Sequence, residues 1–236
     1  MAVEFELKFR ATPEQLDKVQ QGITGQPQVI EIETTYYDTA DGALSKRKYT
    51  LRRRMENGVS VCTLKTPVER SVIASGETDF SARLRYFNVG LPPASTYLHS
   101  LRYGRNDNEG CAMVGGRGEY EVRCDVIEKA IPELCKLSGV GLTALTASGV
   151  VPVCGARFTR VATVIELPEC TVELALDRGV LLGGGREIGL HELEVELKSG
   201  SREAATLYAM ALAQTYGLTP EKYSKFRRAL DLARGE

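Results

Sequence analysis

The chain begins with the stretch Val3-Glu4-Phe5-Glu6-Leu7-Lys8-Phe9-Arg10, in which apolar and charged side chains alternate. Residues two apart share one face of a β-strand, so this stretch predicts a strand with an apolar face and a charged face. The charged face carries Glu4, Glu6, Lys8 and Arg10. Carboxylates placed this way can bind a hard divalent cation, and the neighbouring cations can bind an anion. An ordinary strand with a solvated charged face fits equally well, so the rest of the chain has to decide.

The same alternation returns in later strand-like segments, some acidic and some basic on one face. Consecutive carboxylates on one strand face repel each other unless cations oppose them. Acidic strands and basic strands in one chain therefore suggest that the two sets face each other across an interior. The acidic positions are Glu119, Glu121, Glu173, Asp177, Glu192, Glu194 and Glu196, and the basic positions are Arg52, Arg54 and Lys65.

These stripes predict an α+β fold built on a closed antiparallel β-barrel of about eight strands. The barrel would form a polar tunnel, and the helices would pack on its outside. A one-sided sheet with a solvated face is the alternative. We treat residues 1–236 as a single domain, in which residues 67–117 form an insertion or a long connection without a clear pattern.

Local signals place several of the elements. Thr12-Pro13 with Gln15 predicts a capped helix start, and Asn57-Gly58 predicts a tight hairpin. Asp125 and Ser201 are each expected to cap a helix. A last helix is expected after Thr219-Pro220 and runs to about Arg234.

The composition argues against several kinds of protein. The net charge of −1 gives no general attraction to nucleic acid or to an anionic membrane, and no apolar stretch approaches the length of a membrane span. Six scattered cysteines without a Cys-x-x-Cys pair predict reduced thiols in a cytoplasmic protein. A phosphate-binding Gly-x-x-x-x-Gly-Lys loop is absent from the sequence, and so is a defensible Ser-His-Asp arrangement. Converging arginine and lysine side chains suit phosphate oxygens, whereas clustered carboxylates suit Mg²⁺ or Mn²⁺.

The charged segments resemble the motifs of the CYTH, or triphosphate tunnel metalloenzyme, superfamily, and most closely its bacterial inorganic triphosphatase branch. The first segment, Glu4-Phe5-Glu6-Leu7-Lys8, is similar to the family's Glu-x-Glu-x-Lys signature. Ser224-Lys225 is similar to the Ser-Lys motif that closes the domain. Between them, the segments similar to family motifs are, in order, Leu51–Arg54, Thr63–Pro67, Arg117–Glu121, Glu173–Asp177 and Glu192–Glu196.

The resemblance implies hydrolysis of inorganic triphosphate to diphosphate and phosphate, with Mg²⁺ or Mn²⁺ as cofactor. It implies a small-molecule partner and neither nucleic acid nor membrane, and it leaves a homodimer open. Hydrolysis of thiamine triphosphate or of nucleoside triphosphates, and cyclisation of ATP, are alternatives on the same fold. Further alternatives are a polyphosphate-binding module without catalysis, a lipocalin-like carrier and an interaction domain.

The resemblance also assigns roles to residues. Its catalytic residues are Glu4, Glu6, Lys8 and Lys65. Substrate binding falls to Lys8, Arg52, Arg54, Lys65, Arg157, Arg160 and Lys225. Metal binding falls to Glu4, Glu6, Asp177, Glu192 and Glu194, and a supporting acidic wall consists of Glu119, Glu121, Glu173 and Glu196.

Two departures from the family pattern matter. In a regular strand, Arg157 and Arg160 cannot both face inward, because three residues separate them. The long connection before Glu119 and Glu121 leaves Glu77 and Asp79 as competitors for the place of that acidic strand.

Overall fold

The computed structural model describes residues 3–67 and 117–236, which form ten strands and six helices. Glu77, Asp79 and most of the long connection lie outside the described residues. The strands are β1 (Val3–Glu4), β2 (Glu6–Arg10), β3 (Gln28–Asp38), β4 (Thr50–Glu56), β5 (Val59–Pro67), β6 (Arg117–Arg123), β7 (Val151–Glu166), β8 (Cys170–Gly183), β9 (Arg186–Gly200) and β10 (Thr219–Pro220). The helices are α1 (Pro13–Gly22), α2 (Ala43–Lys46), α3 (Ile127–Ser138), α4 (Leu142–Leu145), α5 (Arg202–Tyr216) and α6 (Lys225–Arg234).

All ten strands belong to one antiparallel sheet in the order β1-β6-β5-β4-β3-β7-β8-β9-β2-β10. Strands β7, β8 and β9 are its longest members and follow one another along the chain as hairpins. Their register sets Arg160 opposite Asp177, and Asp177 opposite Glu192. Residues opposite each other in a ladder share a face, so these three charged side chains point to the same side of the sheet.

The predicted closed barrel of about eight strands is wrong. The opening strand is interrupted at Phe5, so that β1 pairs with β6 while β2 pairs with β9. Because the segment divides its hydrogen bonds between two neighbours, neither ladder runs along its whole length. Within the described ranges no ladder joins the edge strands β1 and β10, and the sheet stays open. Since β1 and β2 are separated by one residue, the sheet must still curl until its two sides approach at Phe5.

Two apolar cores lie on the outer face of the curled sheet. In the first, Leu16 and Val19 of α1 and Tyr208 of α5 pack against β2, β8 and β9, with Phe9 and Leu193 fully buried between them. In the second, α3 and α4 cover β4, β5 and β6. In most strands the alternating sequence therefore sends apolar side chains outward and charged side chains inward, although β3 also points Ile30, Ile32 and Tyr36 into the interior.

Helix α6 does not lie on the outside as expected, but on the inner face of the sheet. Its Phe226 packs against Tyr36 with the ring centroids 5.1 Å apart, and its Ala229 packs among buried side chains of β3, β7 and β8. The helix closes against β8 at Gly183, where an added Cβ would lie 2.4 Å from the carbonyl oxygen of Ala229. It therefore fills one end of the interior.

Several local predictions are confirmed. Thr12 and Gln15 form the reciprocal capping box of α1, and Ser201 caps α5. Asn57 and Gly58 both have positive φ, as the tight hairpin requires.

Other local predictions are wrong. Asp125 does not cap α3, whose N-cap is Val126 without a side-chain bond. The last helix follows Thr219–Pro220 and ends at Arg234 as predicted, but it begins only at Lys225, because Thr219–Pro220 pairs with β2.

The cysteines in the described ranges are free thiols, namely Cys62, Cys124, Cys135, Cys154 and Cys170. Among the described helices, none combines the length and the apolar character that crossing a membrane requires.

Replacing Gly183 by alanine tests how closely α6 must approach the sheet. The new Cβ would meet helix backbone and not a flexible side chain, so we expect the Gly183→Ala variant to lose about 1–3 kcal/mol of unfolding free energy. Chemical denaturation measures it, with Gly141→Ala as the control, because a Cβ at Gly141 meets nothing within 4 Å. Equal stability of the two variants would contradict this placement of α6.

Candidate active site

A cavity of about 330 Å³ lies inside the curled sheet, where the inner face is charged. Seven of the described side chains that line it are acidic and seven are basic. The acidic ones are Glu6, Glu56, Glu119, Glu121, Glu173, Glu194 and Glu196, and the basic ones are Lys8, Arg52, Arg54, Lys65, Arg160, Lys198 and Lys225. The rest of the lining includes Tyr36 and Phe226.

A carboxylate cluster consisting of Asp177, Glu192 and Glu194 lies at the inner end of this cavity. Asp177 comes from β8, and the two glutamates come from consecutive inward positions of β9. Each residue offers a carboxylate oxygen, and these oxygens lie within 4.8 Å of one another. All three residues are buried, and Asp177 and Glu192 are fully so. Carboxylates this close cannot stay charged out of water unless cations reach them.

Lys225 is the central cation of the cluster. Its Nζ lies 2.8 Å from Asp177, 2.5 Å from Glu192 and 2.7 Å from Glu194. The contacts with Glu192 and Glu194 are hydrogen bonds, and the contact with Asp177 is an ion pair, so one ammonium serves all three carboxylates. Lys225 follows the N-cap Ser224 of α6, and the position of this helix thus sets the position of the charge.

Arg160 reaches the same cluster from β7. Its guanidinium binds both carboxylate oxygens of Asp177 at 2.8 Å and one oxygen of Glu194 at 2.5 Å. The two parallel bonds to Asp177 have the fork geometry that fixes both partners in orientation. Arg160 thereby anchors the two strands that supply the acids.

The two glutamates of the cluster differ in their proton affinity. Burial raises the pKa of Glu192 to about 7, and the nearby charges of Lys225 and Arg228 offset only part of that rise. Burial also favours the protonated form of Glu194, but Lys225 and Arg160 outweigh it and hold the pKa of Glu194 well below its ordinary value. The two carboxylates titrate as one coupled pair, in which burial favours the protonated form of Glu192 and the neighbouring cations favour the charged form of Glu194.

Arg52, Arg54 and Lys65 form a basic wall on strands β4 and β5. Arg52 donates to Glu119 at 3.1 Å, and Lys65 lies 3.2 Å from the same carboxylate oxygen. Burial, together with repulsion from Arg52 and Arg160, lowers the pKa of Arg54. The buried Nε atoms of Arg52 and Arg54 have no hydrogen-bond acceptor among the described residues. An anion placed here would meet both the unbalanced charge and the unused donors.

An acidic row crosses three neighbouring strands on the other side of the cavity. Glu6 pairs in register with Glu196, and Glu196 pairs in register with Glu173. Lys8 lies 3.2 Å from Glu6, and Lys198 lies 3.0 Å from Glu196 and 3.5 Å from Glu173. Each side of the cavity thus contains counterions of its own, Lys8 and Lys198 beside the acidic row and Glu119 beside the basic wall.

The structure brings most of the residues singled out from the sequence to the lining of this cavity. Asp177 and Glu192 are fully buried and do not line it, and Arg157 and Glu4 are two further exceptions. Arg157 points to the opposite face of β7, where its side chain is 63% exposed and lies 3.6 Å from Glu187. The backbone of Glu4 pairs with β6, but its side chain lies outside the described part of the structure. Glu121, by contrast, lines the cavity and accepts a hydrogen bond from Thr63 at 3.1 Å.

Sequence reasoning missed Arg228 and Glu221. Arg228 of α6 binds Glu192, and its guanidinium lies 3.4 Å from Glu221, which also binds Arg10. The available signal was the spacing, since residues three apart on a helix share a side and Arg228 follows Lys225 by three.

The carboxylate cluster and the acidic row both fit a hard divalent cation. Their donors are oxygen atoms, which Mg²⁺ and Mn²⁺ prefer, and the cluster already encloses the positive charge of Lys225. Asp177, Glu192, Glu194 and Glu6 are the described residues that would hold such an ion.

Comparison with known proteins gives a family match over almost the whole chain. The family described as CYTH domain matches residues 2–230. An inorganic triphosphatase of Haemophilus influenzae is 28% identical over 206 residues, which cover 85% of this chain. The match covers 47% of the Haemophilus protein, so the chain spans about half the length of that relative.

Solved structures of similar fold are more distant in sequence. A putative adenylyl cyclase from Hippeastrum, described as having a dominant triphosphatase activity, has a TM-score of 0.56 at 16% identity and covers 98% of this chain and 95% of its own. The PH1819 protein of Pyrococcus horikoshii has a TM-score of 0.53 at 19% identity, with 97% and 99% covered. At these identities the likeness concerns the fold alone.

Removing the ammonium of Lys225 tests its place in the cluster. Lys225→Met leaves three buried carboxylates with the two arginines only, so we expect a loss of about 3–5 kcal/mol of unfolding free energy. Urea denaturation measures this loss, and Lys222→Met, on the exposed loop before the helix, is the control. A Lys225→Met variant as stable as its control would show that the cluster does not need this cation.

Proposed function

The chain belongs to the CYTH domain family, and on that premise we propose that it hydrolyses inorganic triphosphate to diphosphate and phosphate with Mg²⁺ or Mn²⁺ as cofactor. The observation that carries the proposal is the crowding of Arg52, Arg54 and Arg160 at a cavity with unused N–H donors. Guanidinium groups that repel one another are stabilised by an anion that several of them can share.

The similar inorganic triphosphatase of Haemophilus influenzae supports this choice of substrate. The cavity volume of about 330 Å³ supports it further, since this is the lower end of the range for small-molecule sites. A bare triphosphate needs no more space than that.

Charge balance in the cavity supports the requirement for a divalent cation. The seven acidic and seven basic side chains that line the cavity cancel, so a triphosphate would add several uncompensated negative charges. The cost of such charges away from bulk water is high unless cations enter with them. A substrate that arrives with a divalent cation restores neutrality, and the acidic positions then hold that cation.

The side chains divide the work by charge and position. Arg52, Arg54 and Lys65 bind phosphate oxygens from one wall, and Lys8 binds them from β2. The carboxylates of Glu6 and of the cluster hold the divalent cation, and Glu119 orients Arg52 and Lys65. When bound, Mg²⁺ or Mn²⁺ neutralises phosphate charge and lowers the pKa of a coordinated water. The protein thus contributes chiefly positioning and charge stabilisation, as in other phosphoryl transfers.

A triphosphate with an organic group is the second candidate, and one observation favours it. Tyr36 and Phe226 line the cavity together with Ile30 and Ile32, so an aromatic base or ring would find an apolar surface there.

A substrate screen separates these candidates. We expect phosphate release from tripolyphosphate to exceed release from ATP or thiamine triphosphate, to stop when EDTA removes the cation, and to return with Mg²⁺ or Mn²⁺. Diphosphate release from ATP would instead indicate a cyclase. Tight binding of tripolyphosphate without turnover in Mg²⁺ and in Mn²⁺ would refute hydrolysis and favour a binding module.

Two arginines on β7 provide a matched pair of variants. Arg160→Ala removes a charge that faces the cavity, and we expect it to lower kcat/KM for tripolyphosphate by about 10²–10³. Arg157→Ala removes a charge on the opposite face, and we expect it to leave kcat/KM within about twofold of the unmodified enzyme. Steady-state phosphate release decides, with circular dichroism to confirm folding. Equal losses in both variants would contradict the placement of the site.

A further inference from the structure

A chain of ion pairs runs from the protein surface into the carboxylate cluster. It begins at Arg10 of β2, which binds Glu221, and continues through Arg228 of α6 to Glu192. The side chain of Glu221 is 1% exposed and also accepts a hydrogen bond from the backbone N–H of Tyr223 at 2.8 Å. The backbone N–H of Glu221 donates to the carbonyl oxygen of Lys8 at 2.8 Å. Glu221 is therefore fixed to β2 from both its backbone and its side chain.

Arg228 holds Glu192 from the side that does not face the cavity. Lys225 binds Oε1 of Glu192, whereas Arg228 binds Oε2. Lys225 is among the side chains that line the cavity, but Arg228 is not among the described ones that do. A ligand in the cavity would thus meet Lys225 and Glu194 without touching Arg228.

The energetic consequence of this arrangement is large because Glu192 is fully buried. Without Arg228, one oxygen of a buried carboxylate loses its donor, and such an oxygen cannot turn to water instead. The carboxylate would then rotate toward its remaining cation, and the N-terminal turn of α6 would keep only the contacts of Lys225 with β9.

We propose that Arg228 is a positioning residue. It fixes the orientation of the Glu192 carboxylate and the position of the Lys225 ammonium, and Glu221 holds it in place. The effect on catalysis rests on the proposed triphosphatase activity. The effect on the position of Lys225 does not depend on that activity, and it can be measured separately.

Three variants on α6 test the proposal. Arg228→Met removes the charge, and Arg228→Lys restores a cation that can reach only one carboxylate. Arg227→Met is the control, because Arg227 is adjacent, half-exposed and paired with Asp231. For Arg228→Met we expect kcat on tripolyphosphate to fall about 10–100-fold with KM within about threefold, since partners behind ligand-holding groups act on this scale. Arg228→Lys should recover part of kcat, and Arg227→Met should match the unmodified enzyme.

Glu221→Gln asks whether Glu221 acts through Arg228. The amide keeps the size of the side chain and removes its charge, so we expect a smaller fall in kcat than in Arg228→Met. In the double variant with Arg228→Met, we expect no further fall, because the effect of Glu221 passes through the missing guanidinium. Independent, multiplicative losses would overturn this link.

Labelling of lysines gives a readout that does not require turnover. Under native reductive methylation, Lys225 should be protected relative to the exposed Lys222, and Arg228→Met should increase its labelling while Arg227→Met does not. Unchanged labelling of Lys225 in Arg228→Met would overturn the proposal, as would a variant that loses only thermal stability and keeps its kcat. Absence of turnover in the unmodified protein, with labelling as expected, would refute the proposed function and leave the positioning role intact.

Discussion

The structure depends on pairing charges that the sheet removes from water. Asp177 and Glu192 are fully buried neighbours in register on β8 and β9, and an isolated pair of this kind would not stay charged. The cations that compensate them come from elsewhere in the fold, Arg160 from β7 and Lys225 from α6. This requirement explains why the last helix enters the interior while α1, α3 and α5 stay outside. Its N-terminal turn carries the charge that the strands lack, and its apolar residues then fill the remaining space against Tyr36.

Pairing within the protein also shapes what the cavity can accept. Where acids and bases are matched, as in the carboxylate cluster, a ligand gains little without displacing an existing partner. Where cations crowd one another, as Arg54 does with Arg52 and Arg160, an anion relieves repulsion. Under the proposed function, the phosphate chain would therefore bind at the basic wall, and the acidic row around Glu6 would bind a divalent cation. The order in which β4, β5 and β6 stand opposite β2, β8 and β9 in the curled sheet keeps the two apart.

Much of this arrangement follows from strand periodicity alone. The alternation in Glu192–Lys198 predicts which side chains face inward, and the family resemblance, confirmed by the match over residues 2–230, supplies the order of the segments. Closure could not be predicted the same way, because it depends on which neighbours share the hydrogen bonds on either side of Phe5. The position of α6 on the inner face could not be predicted from periodicity either. An amphipathic helix with Lys225 and Arg228 on one side could equally well turn that side to solvent. Only the buried carboxylates opposite this helix decide between a solvated position and an inner position.

The role of Lys225 does not follow from its position at the cavity alone. The sequence places it among phosphate ligands, and the structure places it at the cavity, yet its ammonium already lies within 2.8 Å of three carboxylates. A phosphate oxygen can gain a bond from this ammonium only if one carboxylate gives it up. That carboxylate would then need another cation, because it cannot stay buried and unpaired. A divalent ion bound by the cluster would meet this need, so the proposed phosphate binding by Lys225 and the proposed metal binding by Asp177, Glu192 and Glu194 would be coupled by charge balance.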